Sequence, residues 1–371
     1  MQYIKLPRDG RQVSRFGVGV LRMPKVDGKI DPTQAKPIIR YAIDHGVNFF
    51  DTAYMYEGSE VALGHALEDG YRDKVILSTK LPIYAVKSKD DLKRYFDEEL
   101  KRLRTDYLDY YLLHGLNVDS WATTLKYDVL DFLTDLKEKG LVKHVGFSVH
   151  ESFDFFKEVV DAYDWDLVMV QYNYYDKFNQ VGQKGVQYAH SKGIAVATME
   201  SLHGGMLAND VPKDVEDAFA DWKTDVSNAE KSFMWLYNQE EVSIILSGVS
   251  NLDQLKDNLR IFDNAQSNCL SDEENALFDD ARKAWYKNVH VECTGCGYCM
   301  PCPVGVDIPT IFQHYNLLIN TKEQKWVYDT MVVASGKDPS KCIACGKCEK
   351  HCPQSIKIID ELKNADKVLR G

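Results

Sequence analysis

Eight of the nine cysteines fall in the last 82 residues, and they fall in two runs of four. Cys293, Cys296, Cys299 and Cys302 form C-x-x-C-x-x-C-x-x-C-P, while Cys342, Cys345, Cys348 and Cys352 form C-x-x-C-x-x-C-x-x-x-C-P. A loop with a cysteine at every third position points three thiolates at one face of an iron–sulfur cube and leaves the fourth iron for a distant ligand. The Cys-Pro cysteine supplies that ligand to the other cluster. Cys293, Cys296, Cys299 and Cys352 are therefore expected to hold one 4Fe-4S cluster, and Cys342, Cys345, Cys348 and Cys302 the second. Zinc is the competing metal, but it commonly takes two C-x-x-C pairs per site and has no use for a third and fourth cysteine in the same run. Disulfides suit a small secreted domain, whereas this chain is large and its first residues, MQYIKLPRDG, have no apolar export core.

The doubled cysteine pattern resembles two-cluster bacterial ferredoxins. Between the runs, Asp307-x-Pro309 followed by apolar Ile311, Phe312, Tyr315 and Leu318 predicts a helix, so the tail looks like the helical dicluster domains of multi-subunit dehydrogenases. Cys269, outside both runs, is expected to be a buried small residue. No apolar run is long enough to span a bilayer, and the chain reads as cytoplasmic with no membrane partner. The formal charge is −11, with 35 basic against 47 acidic residues before His290 and 10 against 9 from it onward. An acidic body of this kind argues against nucleic acid as a partner.

Between residues 16 and 250, short β-branched runs alternate with stretches of helical period. The runs are 17–20, 47–51, 75–80, 108–114, 143–148, 167–171, 194–198 and 242–247. Asp31-Pro32 reads as a helix N-cap with proline at the first helical position, and Ser227-x-x-Glu230 and Ser271-x-x-Glu274 read as capping boxes. Eight βα units over about 250 residues predict a closed α/β architecture, the (β/α)8 TIM barrel. An open dinucleotide-binding sheet fits less well, because Gly17-x-Gly19 lacks a third glycine and a following helix. A hairpin turning at Asp9-Gly10 precedes the first strand. The expected division is a barrel over 1–287 and a small, mainly helical, dicluster ferredoxin-like domain over 288–371.

Four polar residues stand at strand ends on the barrel's C-terminal rim, where active sites of this fold lie. These are Asp51, Tyr56, Lys80 and His114. Carbonyl reduction needs a proton donor for the developing alkoxide, and an unperturbed tyrosine, with a pKa of about 10, is a weak one. A neighbouring ammonium lowers that pKa, and a carboxylate keeps the ammonium charged and placed. Tyr56, Lys80 and Asp51 supply the three parts, and His114 can orient or polarise the carbonyl. Taken singly, each has a bland alternative: Asp51 as a helix N-cap, Lys80 as a solvated strand end, His114 as a satisfied barrel residue.

Asp51-Thr52-Ala53-x-x-Tyr56-x-Gly58-Ser59-Glu60, Ser78-Thr79-Lys80 and Leu112-Leu113-His114 closely resemble the aldo-keto reductase family over roughly residues 1–285. With the cysteine tail, the chain looks like the iron–sulfur-containing branch of that family. The resemblance implies an NAD(P)H-dependent oxidoreductase in which Tyr56 is the general acid/base and Asp51, Lys80 and His114 complete a tetrad. By position, it implies that Ser148 and Gln171 bind the nicotinamide carboxamide. It further implies that Leu202 and Gly204 lie in the loop along the dinucleotide, and that Gly248, Ser250, Asn251, Gln254 and Asn258 grip the adenosine phosphate end.

Four departures from the family pattern bear on the expectation. Val149 follows Ser148 where asparagine is usual, Met199 stands where many members stack an aromatic ring, and Gly115 follows His114 where an aromatic is common. Ser250 replaces a frequent arginine, which leaves NADPH and NADH both open. The leading expectation is reduction of a small carbonyl, or oxidation of an alcohol, with clusters that exchange electrons with ferredoxin or another one-electron carrier. Flavin, which would bridge hydride and one-electron chemistry, defines the first alternative, a flavin-dependent reductase fed by ferredoxin. A non-enzymatic redox-sensing subunit is the other.

Overall fold

A computed structural model describes residues 1–209, 211–316 and 328–370. Its contacts group the chain into two compact units, residues 1–201 with 229–271, and residues 202–228 with 272–371.

The first unit is the barrel. Its strands are β1 (Phe16–Gly19), β2 (Phe49–Asp51), β3 (Ile76–Leu81), β4 (Leu108–Leu116), β5 (Val142–Val149), β6 (Leu167–Gln171), β7 (Ala195–Met199) and β8 (Ile244–Ser247). They pair in parallel in sequence order, and β8 closes on β1 through Ile245 opposite Phe16. The hairpin of Tyr3–Lys5 with Gln12–Ser14 is present, with Gly10 at φ 72° in its turn. Leu6 and Val13 of this hairpin belong to the interior cluster with Phe49, Ile76, Tyr110, Leu112, Leu167, Met169, Ala195, Ala197, Ile244 and Leu246.

The period of two along a strand carries that interior face onward. Two residues past Phe49 is Asp51; four past Ile76 is Lys80; two past Leu112 is His114; two past Met169 is Gln171; two past Ala197 is Met199. The apolar layers of the barrel interior thus give way, at the strands' C-terminal ends, to Asp51, Lys80, His114 and Gln171, with Met199 opposite Gln171.

Of the local signals, the Asp31 cap is present and helices begin after the other two serines. Asp31 caps the helix Pro32–Asp44 by accepting from the Thr33 amide, and helices Asn228–Tyr237 and Asp272–Asn288 follow Ser227 and Ser271. Cys269 is exposed, contrary to expectation. It lies in the connection between helices Leu252–Phe262 and Asp272–Asn288.

The second unit has its own core, built from Val291, Val306, Ile308, Ile311, Phe312, Tyr315, Tyr328, Val332, Ile358, Leu362, Ala365 and Leu369. The expected helix is Ile308–Asn316, and Leu318 lies outside the described residues. The contacts do not divide the chain at 287: the segment 202–228 and the helix Asp272–Asn288 both group with the tail. The physical reason is an aromatic trio, in which Phe278 meets Phe219 at 5.1 Å and Trp222 at 5.5 Å between ring centroids.

Candidate active site and cluster loops

Asp51 ends β2, and Lys80 and His114 lie near the ends of the two strands that follow. Lys80 Nζ donates to Asp51 Oδ2 at 2.5 Å and to the Thr52 carbonyl at 2.8 Å, and Ser78 Oγ donates to Asp51 Oδ1 at 3.0 Å. Lys80 is 1% exposed and Asp51 4%. The solvated-strand-end reading of Lys80 is therefore excluded. Asp51 is not a helix cap either, since the next helix, Ser59–Ala66, is preceded by Gly58. Burial lowers the Lys80 ammonium and the Asp51 carboxylate pulls it back up; burial raises Asp51 and Lys80 opposes that. Each charge is tolerated because of the other.

Tyr56 stands in the turn between β2 and that helix, where its amide donates to the Ala53 carbonyl and its carbonyl accepts from Ser59. Lys80 Nζ lies 5.2 Å from the Tyr56 ring centroid, and the Tyr56 and His114 rings meet edge to face at 5.5 Å. The four expected catalytic residues are thus brought together. Burial, with Lys80 and His150 nearby, holds His114 well below the ordinary histidine value, so its ring is neutral. Tyr84, from another loop, brings its ring to 6.4 Å from His114 and supplies an aromatic neighbour where Gly115 has none.

The rest of the matching segment locks this turn in place. Thr52 and Ser59 hydroxyls bond at 2.6 Å, Thr79 donates to Glu60 Oε1 at 2.7 Å, and Arg102 pairs with Glu60 Oε2 at 3.1 Å. Gly58 sits at φ 80°, and a Cβ there would stand 2.7 Å from the Ile30 carbonyl oxygen. No other residue type fits that approach in that conformation.

Of the residues expected to bind the dinucleotide, Ser148 Oγ accepts from the Gly115 amide at 2.8 Å, and Gln171 Nε2 donates to Asp176 Oδ2 at 2.8 Å. Met199 packs on the barrel's interior cluster. Gly248, Ser250, Asn251 and Gln254 are exposed where β8 leads into helix Leu252–Phe262. Asn251 caps that helix through the Gln254 amide, and Ser250 donates from both N and Oγ to Gln254 Oε1 at 2.9 Å. Asn258 is buried and donates to Ser247 Oγ at 3.1 Å, so it braces the strand end. Leu202 and Gly204 belong to the second unit. Gly204, at φ 68°, packs so closely on Thr294 that a Cβ would lie 2.2 Å from the Thr294 carbonyl oxygen.

The two cysteine runs repeat one backbone course. The residue before the second cysteine is left-handed in both (Gly295 at φ 66°, Ala344 at φ 51°), as is the residue after it (Gly297 at 79°, Gly346 at 71°). Three residues beyond the fourth cysteine, Gly305 and Ser355 are again left-handed, each donating its amide to the carbonyl of that cysteine. Six residues beyond it, a helix begins in each case, Ile308–Asn316 and Ile358–Arg370.

One cavity of this unit is lined by Cys293, Cys296, Cys299 and Cys352, and a second by Cys342, Cys345, Cys348, Cys302 and the shared Cys299. Burial and the neighbouring thiols of Cys296, Cys293 and Cys352 push the Cys299 thiol up to about 12. Four crowded sulfurs become thiolates only when a strong local positive charge compensates them, and an iron–sulfur cluster supplies it.

The sequence profile of the aldo/keto reductase family matches residues 15–283, most of the chain. The chain belongs to the aldo/keto reductase family. The profile of the 4Fe-4S dicluster domain matches residues 292–356 of the same chain. This aldo/keto reductase is an NAD(P)H-dependent oxidoreductase joined to an iron–sulfur domain. It is 25% identical to the uncharacterized oxidoreductase YqkF of Bacillus subtilis over 77% of this chain and 99% of that one. It is 25% identical to L-galactose dehydrogenase of Arabidopsis thaliana over 77% and 97%, and 23% identical to the NADH-specific methylglyoxal reductase of Escherichia coli over 70% and 93%. Among solved structures it resembles aldo-keto reductase AKR11C1 from Bacillus halodurans in its holo form, with TM-score 0.64 and 22% identity over 76% of this chain and 96% of that one. That likeness bears on the fold. Among the described residues no helix is long and apolar enough to cross a membrane.

Three residues that neighbour the expected site of this aldo/keto reductase escaped the sequence reading. Asp176 holds Gln171 from a polar loop with no period to mark it. His150, next to Val149, hydrogen-bonds Gln171 and Gln180, and burial lowers it to about 4. Arg22 follows β1, and its side chain lies against Gly248, where a Cβ would meet it at 2.9 Å. The only sequence signal for Arg22 was a cation just beyond a rim strand.

Proposed function

We propose that this enzyme reduces a small carbonyl compound to an alcohol, or runs the reverse oxidation, and that its two 4Fe-4S clusters exchange electrons with ferredoxin or another one-electron carrier. The observation that carries the reading is the buried Asp51–Lys80 pair facing the Tyr56 ring beside His114. The nicotinamide, when bound, supplies or accepts the hydride.

The residues supply the rest. Tyr56 donates the proton to the oxygen on which negative charge develops. Lys80, held by Asp51 and the Thr52 carbonyl, favours the resulting phenolate. Neutral His114 donates a hydrogen bond to the carbonyl oxygen and orients it. The interlock of Thr52, Ser59, Thr79, Glu60 and Arg102 keeps Tyr56 at one distance from Lys80, so little reorganisation is required in the reaction. Ser148 and Gln171 hold the nicotinamide carboxamide, and Leu202 and Gly204 lie along the dinucleotide. Gly248, Ser250, Asn251 and Gln254 bind the adenosine end with Arg22 as the nearby cation. Asn258 braces that segment from behind. Hydrogen-bonding groups at Ser250 and Gln254 favour NADPH and NADH to similar degrees.

In the tail, Cys293, Cys296, Cys299 and Cys352 would ligate one cluster and Cys342, Cys345, Cys348 and Cys302 the other, with the lining of the two cavities as support. The clusters, when bound, carry one electron each. The test is the visible spectrum of anaerobically purified protein together with carbonyl-dependent oxidation of NADPH. Broad iron–sulfur absorption without flavin bands, and turnover with at least one carbonyl, are expected; stoichiometric bound flavin and no such turnover would favour the flavin-dependent reductase.

A further inference from the structure

The two cysteine runs share one backbone course and differ in the surface they present. From residue 288 to 306, around the first run, the chain carries no lysine or arginine and one acid, Glu292. From 337 to 357, around the second, it carries five lysines and two acids. Both acids are engaged within the unit: Asp338 pairs with Arg370, and Glu349 Oε1 accepts from the Ile359 amide at 2.9 Å. Lys341, Lys347 and Lys350 are exposed, and among the described residues none of the three is in an ion pair. Each stands one or two residues from a cysteine of the run, so its Cα lies within about 8 Å of that cysteine's. Cys345 is exposed, whereas the other seven cysteines of the two runs are partly buried. Ile343 beside it is 63% exposed and Met300, from the first run, 37%; both line the cavity that holds Cys302, Cys342, Cys345 and Cys348. The first run is covered instead, with Thr294 buried against Gly204.

We propose that the second cysteine run is the docking face for a small acidic one-electron carrier protein, which packs on Ile343 and Met300 and meets Lys341, Lys347 and Lys350 with carboxylates. This rests on the reading of the two runs as ligands of clusters that exchange electrons. The charge of the whole chain favours the same face. Before His290 there are 47 acidic against 35 basic residues, so the body repels an acidic protein, and a local basic patch is where its approach turns favourable. A few lysines around exposed aliphatic side chains make a small, polar contact. Contacts of that kind form and dissolve quickly, as a carrier that must leave after each transfer requires. The balance is one for one: the carrier's reduced centre loses one electron and the cluster held by Cys342, Cys345, Cys348 and Cys302 gains it, with no bond made or broken.

The experiment measures binding of an oxidised, acidic two-iron ferredoxin to the intact, cluster-loaded protein by calorimetry. The wild type is expected to bind with a micromolar Kd at about 20 mM salt and about tenfold more weakly at about 0.2 M, because exposed charges are screened. Lys341→Gln, Lys347→Gln and Lys350→Gln together should weaken low-salt binding about tenfold and remove most of the salt dependence. Ile343→Ser should weaken binding and leave the salt dependence as it was. Lys93→Gln, Lys101→Gln and Lys139→Gln, which remove as much charge from exposed positions on the barrel, should change little. Iron content and the visible spectrum of each variant show that its clusters are in place. Unchanged affinity in the cluster-loaded triple variant of the second run overturns the proposal. So does an equal loss in the barrel triple variant, equally tight binding of a basic cytochrome c, or no binding of the ferredoxin to the wild type. Clusters that dithionite leaves oxidised would instead remove the electron-exchange reading, a result on which the binding titration does not depend.

Discussion

Lys80 Nζ and Asp51 Oδ2 lie 2.5 Å apart with both side chains almost fully withdrawn from solvent. Removing one partner strands the other's charge in the barrel interior, which typically costs about 3–5 kcal/mol. Lys80→Met and Asp51→Asn are each expected to lose stability on that scale in urea denaturation and to lose carbonyl reduction by about 10²-fold or more. The double substitution should regain much of the stability and none of the activity. Full activity in either single variant would remove the pair from the chemistry.

Two buried histidines make stability depend on pH. His150 titrates at about 4 and His114 well below the ordinary value near 6.5, in both cases chiefly because burial disfavours the charged ring. Below pH 6.5 the unfolded chain takes up protons that the folded chain does not, so stability is fully present above that pH and falls as the pH drops. The slope approaches about 1.4 kcal/mol per pH unit for each ring. Between pH 7 and 5 the wild type should lose more stability than a His114→Gln, His150→Gln double variant, a comparison in which cluster lability is common to both. Equal losses would mean that the rings titrate in the fold.

The cluster loops make a stoichiometric prediction. Two 4Fe-4S clusters require about eight iron and eight acid-labile sulfide per chain. Cys352→Ser should perturb the cluster held by the first run, and Cys302→Ser the one held by the second, each leaving the other cluster's electron paramagnetic resonance signal intact. Zinc without sulfide, or each substitution perturbing its own run, would contradict the crossed pairing.

Gly204 ties its loop to the residue after the first cluster cysteine. A methyl group at φ 68° and 2.2 Å from the Thr294 carbonyl forces that backbone apart. Strain of a non-glycine residue in this region costs about 1–3 kcal/mol before the clash is added. Gly204→Ala should therefore lose its visible cluster absorption faster in air than the wild type, while Gly205→Ala, where the nearest atom is the flexible Asn209 side chain at 3.2 Å, should lose it less. Equal bleaching in Gly204→Ala and the wild type would show that the contact does not support the cluster loop.

Much of this was legible in the sequence for identifiable reasons. The period of two puts Asp51, Lys80, His114 and Gln171 on one barrel face, and strand ends are marked by the change from apolar to polar along that face. The cysteine spacing carries the cluster sites because a three-residue repeat has few other uses. Asp176 and Arg22 were not legible, since each acts from a loop whose course depends on packing far along the chain. The grouping of 202–228 with the tail was hidden too, because it rests on Phe219, Trp222 and Phe278, aromatic residues that read as ordinary core. Cys269 shows the reverse error, a small apolar residue placed inside by composition and outside by its loop.

The account centres on Tyr56 as the proton donor, and the most direct measurement is single-turnover oxidation of bound NADPH by a carbonyl substrate in wild type and Tyr56→Phe, with NADPH affinity measured on the same samples. The substitution removes one hydroxyl and leaves the ring that meets Lys80 and His114. The account predicts nearly unchanged NADPH binding and a rate reduced by about 10²-fold or more. A Tyr56→Phe protein that binds NADPH and reduces the carbonyl at the wild-type rate would contradict it.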